Sequence, residues 1–522
     1  MGGRQSKYFP MSIGFDYMSV TFRGPDTIRI IYGTEKEINV IRNVILGHWR
    51  LGLQSGGEFV GCGYDFKLRG SPFVKDSSAG VAFDCRKFAS RLLSQLHNQG
   101  LRLLASSDLS KTAKLTTWLF HREQTQISLF PFACIGISNC DKIQFINFPV
   151  AFFERLKYVV EQNWPKTIKR SKFIGDDFEI KLRGMPWRPR GDSENIQAKT
   201  LVKALINELG KCQWFLYGSS NLRGNADTLF FMHDPAAPSP CLSCGFVMTL
   251  NKIDRLRIID APHDAAGPVI NAITEYWPGG IQKEKGKLNA YEFKLKGRPW
   301  WASGEDTVSV RYFMCKMFEA LLRSGWRVKM SVDLTRSLND KSVLPFQKCD
   351  PSNGPVFCIS LNRTDRIRFI NAPPNLLSTL IATVRRVWLF GVAQERPYGA
   401  SIELKLNGRP WNYGLSGHDG AHGRVMLAYL IKVCASMGWV LYLSADVSAK
   451  WRHQRNAPDI PLDLHSLWFM FIGQSQPCDQ ASGHSQVVPA ADIAPPQYGF
   501  AGQITSEFGT SDLPPAYSAM SI

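Results

Sequence analysis

The sequence has few of the features that catalysis or metal binding requires. Its 522 residues include only 10 histidines, and none of them recurs at a fixed interval along the chain. It contains neither a nucleophilic-serine elbow nor a phosphate-cradling glycine loop. The 12 cysteines are scattered rather than periodic, which favours buried free thiols in a reducing compartment over a disulfide framework. These absences predict a protein that is not an enzyme and needs no cofactor.

One pattern occurs four times. It reads YDFKLRGSPF, FEIKLRGMPW, YEFKLKGRPW and IELKLNGRPW, and its central lysines (Lys67, Lys181, Lys294 and Lys405) are 114, 113 and 111 residues apart. Two further landmarks keep this period: an acidic residue (Asp26, Asp141, Asp254 and Asp365) and a tryptophan (Trp49, Trp164, Trp277 and Trp388). A period this long indicates a whole folding unit rather than one turn of a solenoid.

The pattern inside each copy predicts its secondary structure. Residues 291–296 alternate apolar and polar side chains, as a half-buried strand does. Gly297 allows a turn with positive φ, and Trp300 is expected to anchor that turn on the core rather than to form a stacking surface. Residues 268–277 and 310–325 have helical spacing. The fold class is therefore α+β, of the type ββαβαββ, in four tandem copies of about 110 residues.

The repeat also predicts the domain organisation. The copies form either four domains or two pairs that share sheets. The expected segments are a leader (1–12), four repeats (13–122, 123–234, 235–350 and 351–473) and a tail (474–522).

Long apolar segments are scarce as well. The N-terminus has no apolar stretch of the kind that forms a secretory signal peptide. Residues 425–445 are nearly uncharged, but their counterpart in the third repeat carries Arg311, Lys316 and Arg323. Equivalent elements should share one structure, so we expect a helix, a glycine and a buried strand here instead of a membrane span.

Positive charge is concentrated in the repeats. The formal net charge is +18, but residues 474–522 contain four acids and no Lys or Arg, so the rest of the chain carries +22. A body this basic favours an anionic partner, such as a membrane surface, a nucleic acid or an acidic protein, although the charge could serve solubility alone.

Two basic segments are candidates for binding an anionic surface. Both are expected to be loops, and their cations are Lys166, Lys169, Arg170, Lys172, Lys283, Lys285 and Lys287. Neither has the interleaved aromatic residues that a platform for single-stranded nucleic acid needs. Phosphates of a membrane and a solvated loop explain them equally well.

Two other clusters have residue types that can support chemistry. Each repeated strand places a carboxylate beside its lysine, as in Glu292 with Lys294, and such a pair could tune a base. A solvated face with paired charges is the preferred interpretation. Cys241 and Cys244 form a single CxxC with His233 nearby, but a structural zinc site needs four ligands, and no second pair has suitable spacing. No metal site is predicted.

The N-terminal sequence MGGRQSK resembles the substrates of N-myristoyltransferase. Removal of Met1 exposes Gly2, Ser6 stands where the pattern requires Ser or Thr, and Lys7 adds positive charge. One myristoyl chain gives only marginal membrane binding, so a second signal is needed, and the basic body could supply it. The alternative is a leader that begins with glycine by chance.

The C-terminal 49 residues are rich in Pro, Ala, Ser, Gly and Gln, a composition typical of disorder. Within them, APPQY and LPPAY resemble the PPxY ligands of WW domains, with Pro495, Pro496, Tyr498, Pro514, Pro515 and Tyr517 as the motif residues. Paired prolines favour the polyproline II conformation that aromatic grooves bind. The resemblance implies partners such as HECT-type ubiquitin ligases that carry WW domains. The alternative is a proline-rich spacer.

The parts combine into one hypothesis. The chain is expected to be a non-enzymatic adaptor or scaffold, cytoplasmic and peripheral to a membrane, that presents tandem PPxY motifs to WW-domain proteins. Two alternatives stay open: a nucleic-acid-binding repeat protein, and a ligand-binding or enzymatic domain in one repeat.

Overall fold

The computed structural model describes residues 16–473, with gaps at 60–62, 75–77, 110–115, 124–128, 224–225, 238–244, 336–340, 412–417, 449–450, 455–456 and 462. The N-terminal motif at Gly2, both PPxY motifs and the CxxC at Cys241 and Cys244 lie outside the described residues.

The first two repeats have the same order of elements. Repeat 1 contains β1 (Tyr17–Arg23), β2 (Thr27–Ile31), α1 (Glu35–His48), β3 (Leu53–Phe59), β4 (Gly63–Leu68), α2 (Ala79–Asn98), β5 (Leu101–Asp108) and β6 (Thr116–Arg122). Repeat 2 contains β7 (Phe132–Ser138), β8 (Lys142–Ile146), α3 (Phe152–Asn163), β9 (Ile168–Ile174), β10 (Asp177–Leu182), α4 (Asp192–Lys211), β11 (Trp214–Ser220) and β12 (Thr228–His233).

The last two repeats keep that order with small variations. Repeat 3 contains β13 (Phe246–Asn251), β14 (Arg255–Ile259), α5 (His263–Tyr276), β15 (Ile281–Lys287), β16 (Ala290–Leu295), a 3₁₀ turn (Pro299–Trp301), α6 (Asp306–Arg323), β17 (Trp326–Val328) and β18 (Val343–Lys348). Repeat 4 contains β19 (Val356–Asn362), β20 (Arg366–Ile370), α7 (Pro374–Val387), β21 (Val392–Pro397), β22 (Ser401–Leu406), α8 (His418–Ser436), β23 (Trp439–Ala445), a small hairpin of β24 (Trp451–Gln454) and β25 (Ala457–Pro461), and β26 (Asp463–Phe471).

Within the described residues, each repeat forms its own six-stranded antiparallel sheet. The strand order in repeat 1 is β3-β4-β2-β1-β6-β5, and the other repeats follow the same order. The prediction of four tandem α+β copies is confirmed, and the copies do not share sheets. The sheet of each repeat has one strand more than predicted, at its outer edge: β3, β9, β15 and β21. These strands are mostly exposed on both faces, so their sequences lack the alternation that marks a half-buried strand. Repeat 4 also adds the hairpin β24-β25 outside its sheet.

The repeated GxP turn has the predicted geometry. Its glycine has positive φ in every copy, at Gly70, Gly184, Gly297 and Gly408. The tryptophan that directly follows the proline of this turn is buried, at Trp187, Trp300 and Trp411. The Trp300 indole N–H donates to the Arg255 carbonyl at 2.9 Å. The tryptophan that ends each first helix also binds this turn, as when Trp277 Nε1 donates to the Lys296 carbonyl at 3.0 Å. The repeated tryptophans are therefore core anchors, as predicted.

The apolar segment of repeat 4 is not one long helix. It consists of the end of α8, Gly438 with φ of 81°, and the buried strand β23, which confirms the prediction for residues 425–445. No helix in the described part of the chain is both long enough and apolar enough to cross a membrane.

The repeats pack against one another in a closed cycle. The second helix of each repeat contacts the sheet of the next repeat: α2 lies on β7 and β8, α4 on β13, α6 on β19 and β20, and α8 returns to β1 and β2. Hydrophobic clusters cross these junctions, as where Tyr17 and Ile31 of repeat 1 pack with α8 residues such as Ala428. The four repeats therefore form one compact unit.

Candidate functional site

The repeated carboxylates are structural ion-pair partners. Glu179, Glu292 and Glu403 are only 3%, 7% and 1% exposed, because a helix of the preceding repeat lies over this face of the sheet. The expectation of paired charges is correct, but the expected solvated face is wrong at these three positions. The partners are on the neighbouring strand, as where Lys142 Nζ lies 2.9 Å from Glu179 Oε1.

Glu403 shows the electrostatics of this arrangement. Arg368 Nε donates to Glu403 Oε2 at 2.7 Å, and Arg396 Nη2 donates to Glu403 Oε1 at 2.8 Å. Arg366 also pairs with this carboxylate. Burial alone raises the pKa of Glu403, but the hydrogen bonds and charges of these arginines outweigh burial and hold the pKa below its usual range. A carboxylate held ionised in this way stabilises the sheet and is poorly suited to act as a base at neutral pH.

Each second helix carries a buried cation, and the cations of repeats 1 and 3 bind the next repeat. The four positions are Arg86, Lys199, Arg311 and Arg424. Arg86 Nη1 donates to Gln144 Oε1 at 2.8 Å, and Gln144 Nε2 donates in turn to Glu179 Oε2 at 2.9 Å. Arg311 Nε of repeat 3 donates to Ser466 Oγ of repeat 4 at 2.8 Å. Sequence reasoning missed these residues, although a cation that recurs inside an apolar helix at the repeat period would have revealed them.

The seven basic candidates divide between two sheet edges. Lys169, Arg170 and Lys172 lie on β9, and Lys283, Lys285 and Lys287 lie on β15, so these residues form edge strands instead of the expected loops. Lys166 lies just before β9, where its Nζ is 2.8 Å from Glu194 Oε1. The two groups belong to different repeats.

The edge strand of repeat 2 also exposes an aromatic side chain. Phe173 follows Lys172 on β9 and is 49% exposed, while its ring packs 4.7 Å from that of Phe153. Lys169, Arg170 and Lys172 are also exposed on this strand, but Arg170 and Lys172 point to the opposite face of the sheet from Phe173. An exposed edge strand with several cations can bind phosphates at a membrane surface.

The described cysteines are free thiols, as the sequence predicts. Five of the eight described cysteines are buried and three are partly buried, and none forms a disulfide. Burial raises the pKa of the Cys85 thiol to about 12, so this thiol is unreactive at neutral pH. No group of three or more potential metal ligands occurs in the part of the chain that the structure describes.

A buried carboxyl group joins repeats 2 and 3. The backbone N–H of Asp333 donates to Asp227 Oδ2 at 2.8 Å, and the N–H of Asp227 donates to the Asp333 carbonyl at 2.8 Å. Burial raises the pKa of Asp227 to about 7, with a further contribution from the charge of Asp108. Because the folded state holds this proton more tightly than the unfolded state, the stability contributed by Asp227 falls as pH rises from about 4 to about 7.

We therefore expect Asp227→Asn to stabilise the protein at pH 8. The amide oxygen still accepts from Asp333 N–H, while the buried charge is removed, and the gain in unfolding free energy is on the order of 2–4 kcal/mol. Urea unfolding of the wild type and of Asp227→Asn at pH 5 and pH 8 measures this gain. The difference in unfolding free energy between the two proteins should be larger at pH 8 than at pH 5. The control Asp176→Asn, at an exposed position in the β9–β10 turn, should differ from the wild type by the same amount at both pH values. A difference that does not depend on pH contradicts the assignment.

Comparison with known proteins identifies the repeat. No curated protein and no solved structure matches the chain. One protein-family domain model matches it four times, at residues 16–122, 131–232, 245–347 and 355–470. Each match spans the strands and helices of one repeat and begins at or just before its first strand. The chain therefore belongs to the family that this domain defines, with four tandem copies.

Proposed function

We propose that the protein is a non-enzymatic adaptor that presents tandem PPxY motifs to WW-domain proteins from the cytoplasmic face of a membrane. The observation that carries the proposal is the pair of motifs, Pro495–Tyr498 and Pro514–Tyr517, in a segment without Lys or Arg. In each motif the prolines favour the polyproline II conformation, and the tyrosine supplies a ring for a second pocket. WW-domain ubiquitin ligases of the HECT type are the partner class that these motifs favour.

The repeat body supports the membrane half of the proposal. Residues 1–473, which include this body, carry +22 formal charges, and the β9 edge exposes Lys169, Arg170 and Lys172. A single myristoyl chain on Gly2 needs such a second signal, since each basic residue near an anionic leaflet contributes about 1 kcal/mol. Lys283 and Lys285 on β15 are also exposed and add to the same attraction.

Affinity capture from cell lysate tests the partner half. The full chain should recover WW-domain proteins, and the variant with both Tyr498→Ala and Tyr517→Ala should not. Pro489→Ala alters a tail proline outside both motifs and is the matched control. Equal recovery of WW-domain proteins by the double variant would eliminate this half of the proposal.

The membrane half predicts that Gly2→Ala moves the protein from the membrane fraction to the cytosol. Alanine at this position cannot be myristoylated, so the acyl contribution is lost while the basic body is unchanged. Cell fractionation measures the ratio of membrane-bound to cytosolic protein, which should fall at least tenfold. Gly3→Ala keeps Gly2 and is the control. If wild type and Gly2→Ala partition equally, the protein has no functional acyl anchor.

A further inference from the structure

A polar cavity lies where the four repeats meet. It has a volume of about 380 Å³ and is lined by β5, β11, β23, residues 327–331, which begin in β17, and Gln347 of β18. Strands β5, β11, β17 and β23 are the inner edge strands of the four sheets, one from each repeat. Strand β5 contacts both β11 and β23. Ser219 Oγ donates to the Ser331 carbonyl at 2.6 Å and thereby joins β11 to residues 327–331.

The lining has an approximate twofold alternation. Repeats 1 and 3 place an arginine at the second position of the inner strand, Arg102 and Arg327, whereas repeats 2 and 4 place a tyrosine at the fourth, Tyr217 and Tyr442. Each tyrosine hydroxyl accepts a hydrogen bond of 3.0 Å from the backbone N–H next to that arginine, at Leu103 and Val328. The same contact therefore holds each arginine-bearing strand at the cavity wall.

The cavity has an excess of positive charge. Arg102, Arg327 and Lys329 line it, and none of the lining residues is acidic. Arg102 pairs with Glu123, which is outside the lining. Among the described residues no carboxylate forms an ion pair with Arg327 or Lys329, although the Arg327 guanidinium lies 5.8 Å from the centre of the Tyr442 ring.

Lys329 is partly buried, and burial together with the charge of Arg327 lowers the pKa of its ammonium group. Cations that converge in a partly desolvated space attract an anion more strongly than the same cations on an open surface.

We propose that this cavity binds a small phosphate-bearing anion. Arg327 and Lys329 would contact the phosphate oxygens, and the volume lies within the range of small-molecule pockets, about 300–1,000 Å³. The phosphate group belongs either to a free metabolite or to the headgroup of a lipid. The inference uses no residue of the N-terminus or tail, so it stands apart from the adaptor proposal.

Isothermal titration of the purified full chain with inorganic tripolyphosphate tests the site. We expect saturable binding with one anion per chain, at least tenfold weaker in Lys329→Met and in Arg327→Met. Lys296→Met removes the same charge from an exposed position in the same repeat and should change the affinity less than twofold. Thermal unfolding without the probe establishes that each variant is folded.

Vesicles identify the source of the phosphate. Retention on phosphatidylcholine vesicles that contain phosphatidylinositol 4,5-bisphosphate, lost in Lys329→Met, indicates a lipid headgroup. Saturable tripolyphosphate binding without such retention indicates a free anion. The proposal is overturned by the absence of saturable binding to either probe, and equally by binding that Lys296→Met weakens as much as Lys329→Met does, since that pattern reflects net charge alone.

Discussion

A chain that carries both Tyr498→Ala and Tyr517→Ala is expected to have no measurable affinity for a protein with two WW domains. Each motif alone binds one WW domain weakly. Once one motif is bound, the other motif binds the second WW domain within the same complex. Nineteen residues separate Pro495 from Pro514, and a flexible linker of that length spans about 24 Å root-mean-square. Such a linker gives an effective concentration in the millimolar range and raises the overall affinity about 10²-fold or more.

The single variants separate bivalent binding from binding by one motif. Either tyrosine replacement alone should weaken the tandem-WW complex by about 10²-fold, because the contact within the complex is lost. When the probe has only one WW domain, each single variant should bind about half as many probe molecules per chain as the wild type does. The affinity of each remaining site should change little. Titration calorimetry with both probes measures these effects. If one single variant matches wild type with the tandem probe, only the other motif is a ligand.

Trp300→Ala is expected to destabilise the protein by about 3–5 kcal/mol. The Trp300 side chain is fully buried, and its N–H donates to the Arg255 carbonyl at 2.9 Å, so the replacement leaves both a large cavity and an unpaired carbonyl. The damage should extend beyond repeat 3, because α6 packs on β19 and β20 of repeat 4. Urea unfolding measures the loss as a lower midpoint.

Two variants show which property of Trp300 matters. Trp300→Phe should recover most of the stability, because repeat 1 has Phe73 at this point of its pattern and still buries the ring. Trp301→Ala removes the adjacent indole, which is only partly buried, and should cost about 1 kcal/mol or less. A loss for Trp301→Ala as large as that for Trp300→Ala would contradict the role of Trp300 as the anchor.

The features that could be predicted from the sequence were those with a recognisable residue pattern. The period of the central lysines located the four copies, and the glycine of the turn required positive φ, as at Gly297. The charges of the third repeat explained the apolar segment of the fourth. The edge strands gave no such signal, because a strand exposed on both faces has no hydrophobic alternation, and β15 was therefore expected to be a loop.

The contacts between repeats could not be predicted from the sequence of one repeat alone. Arg86 lies in an apolar helix, and its partners Gln144 and Thr228 are 58 and 142 residues away in the next repeat. The cavity was missed for a related reason. Its cations come from repeats 1 and 3 and its tyrosines from repeats 2 and 4, so Arg102 and Tyr217 do not recur at the period that defines the copies.

Recruitment of a partner to a membrane tests the central claim most directly. Myristoylated full chain, anionic vesicles and a soluble tandem-WW protein are mixed, and vesicles are floated through a density gradient. The WW protein should float with the wild-type chain, and should stay at the bottom when the chain carries Gly2→Ala or both tyrosine replacements. A WW protein that floats equally well with the double tyrosine variant, or fails to float with the wild type, would contradict the adaptor function.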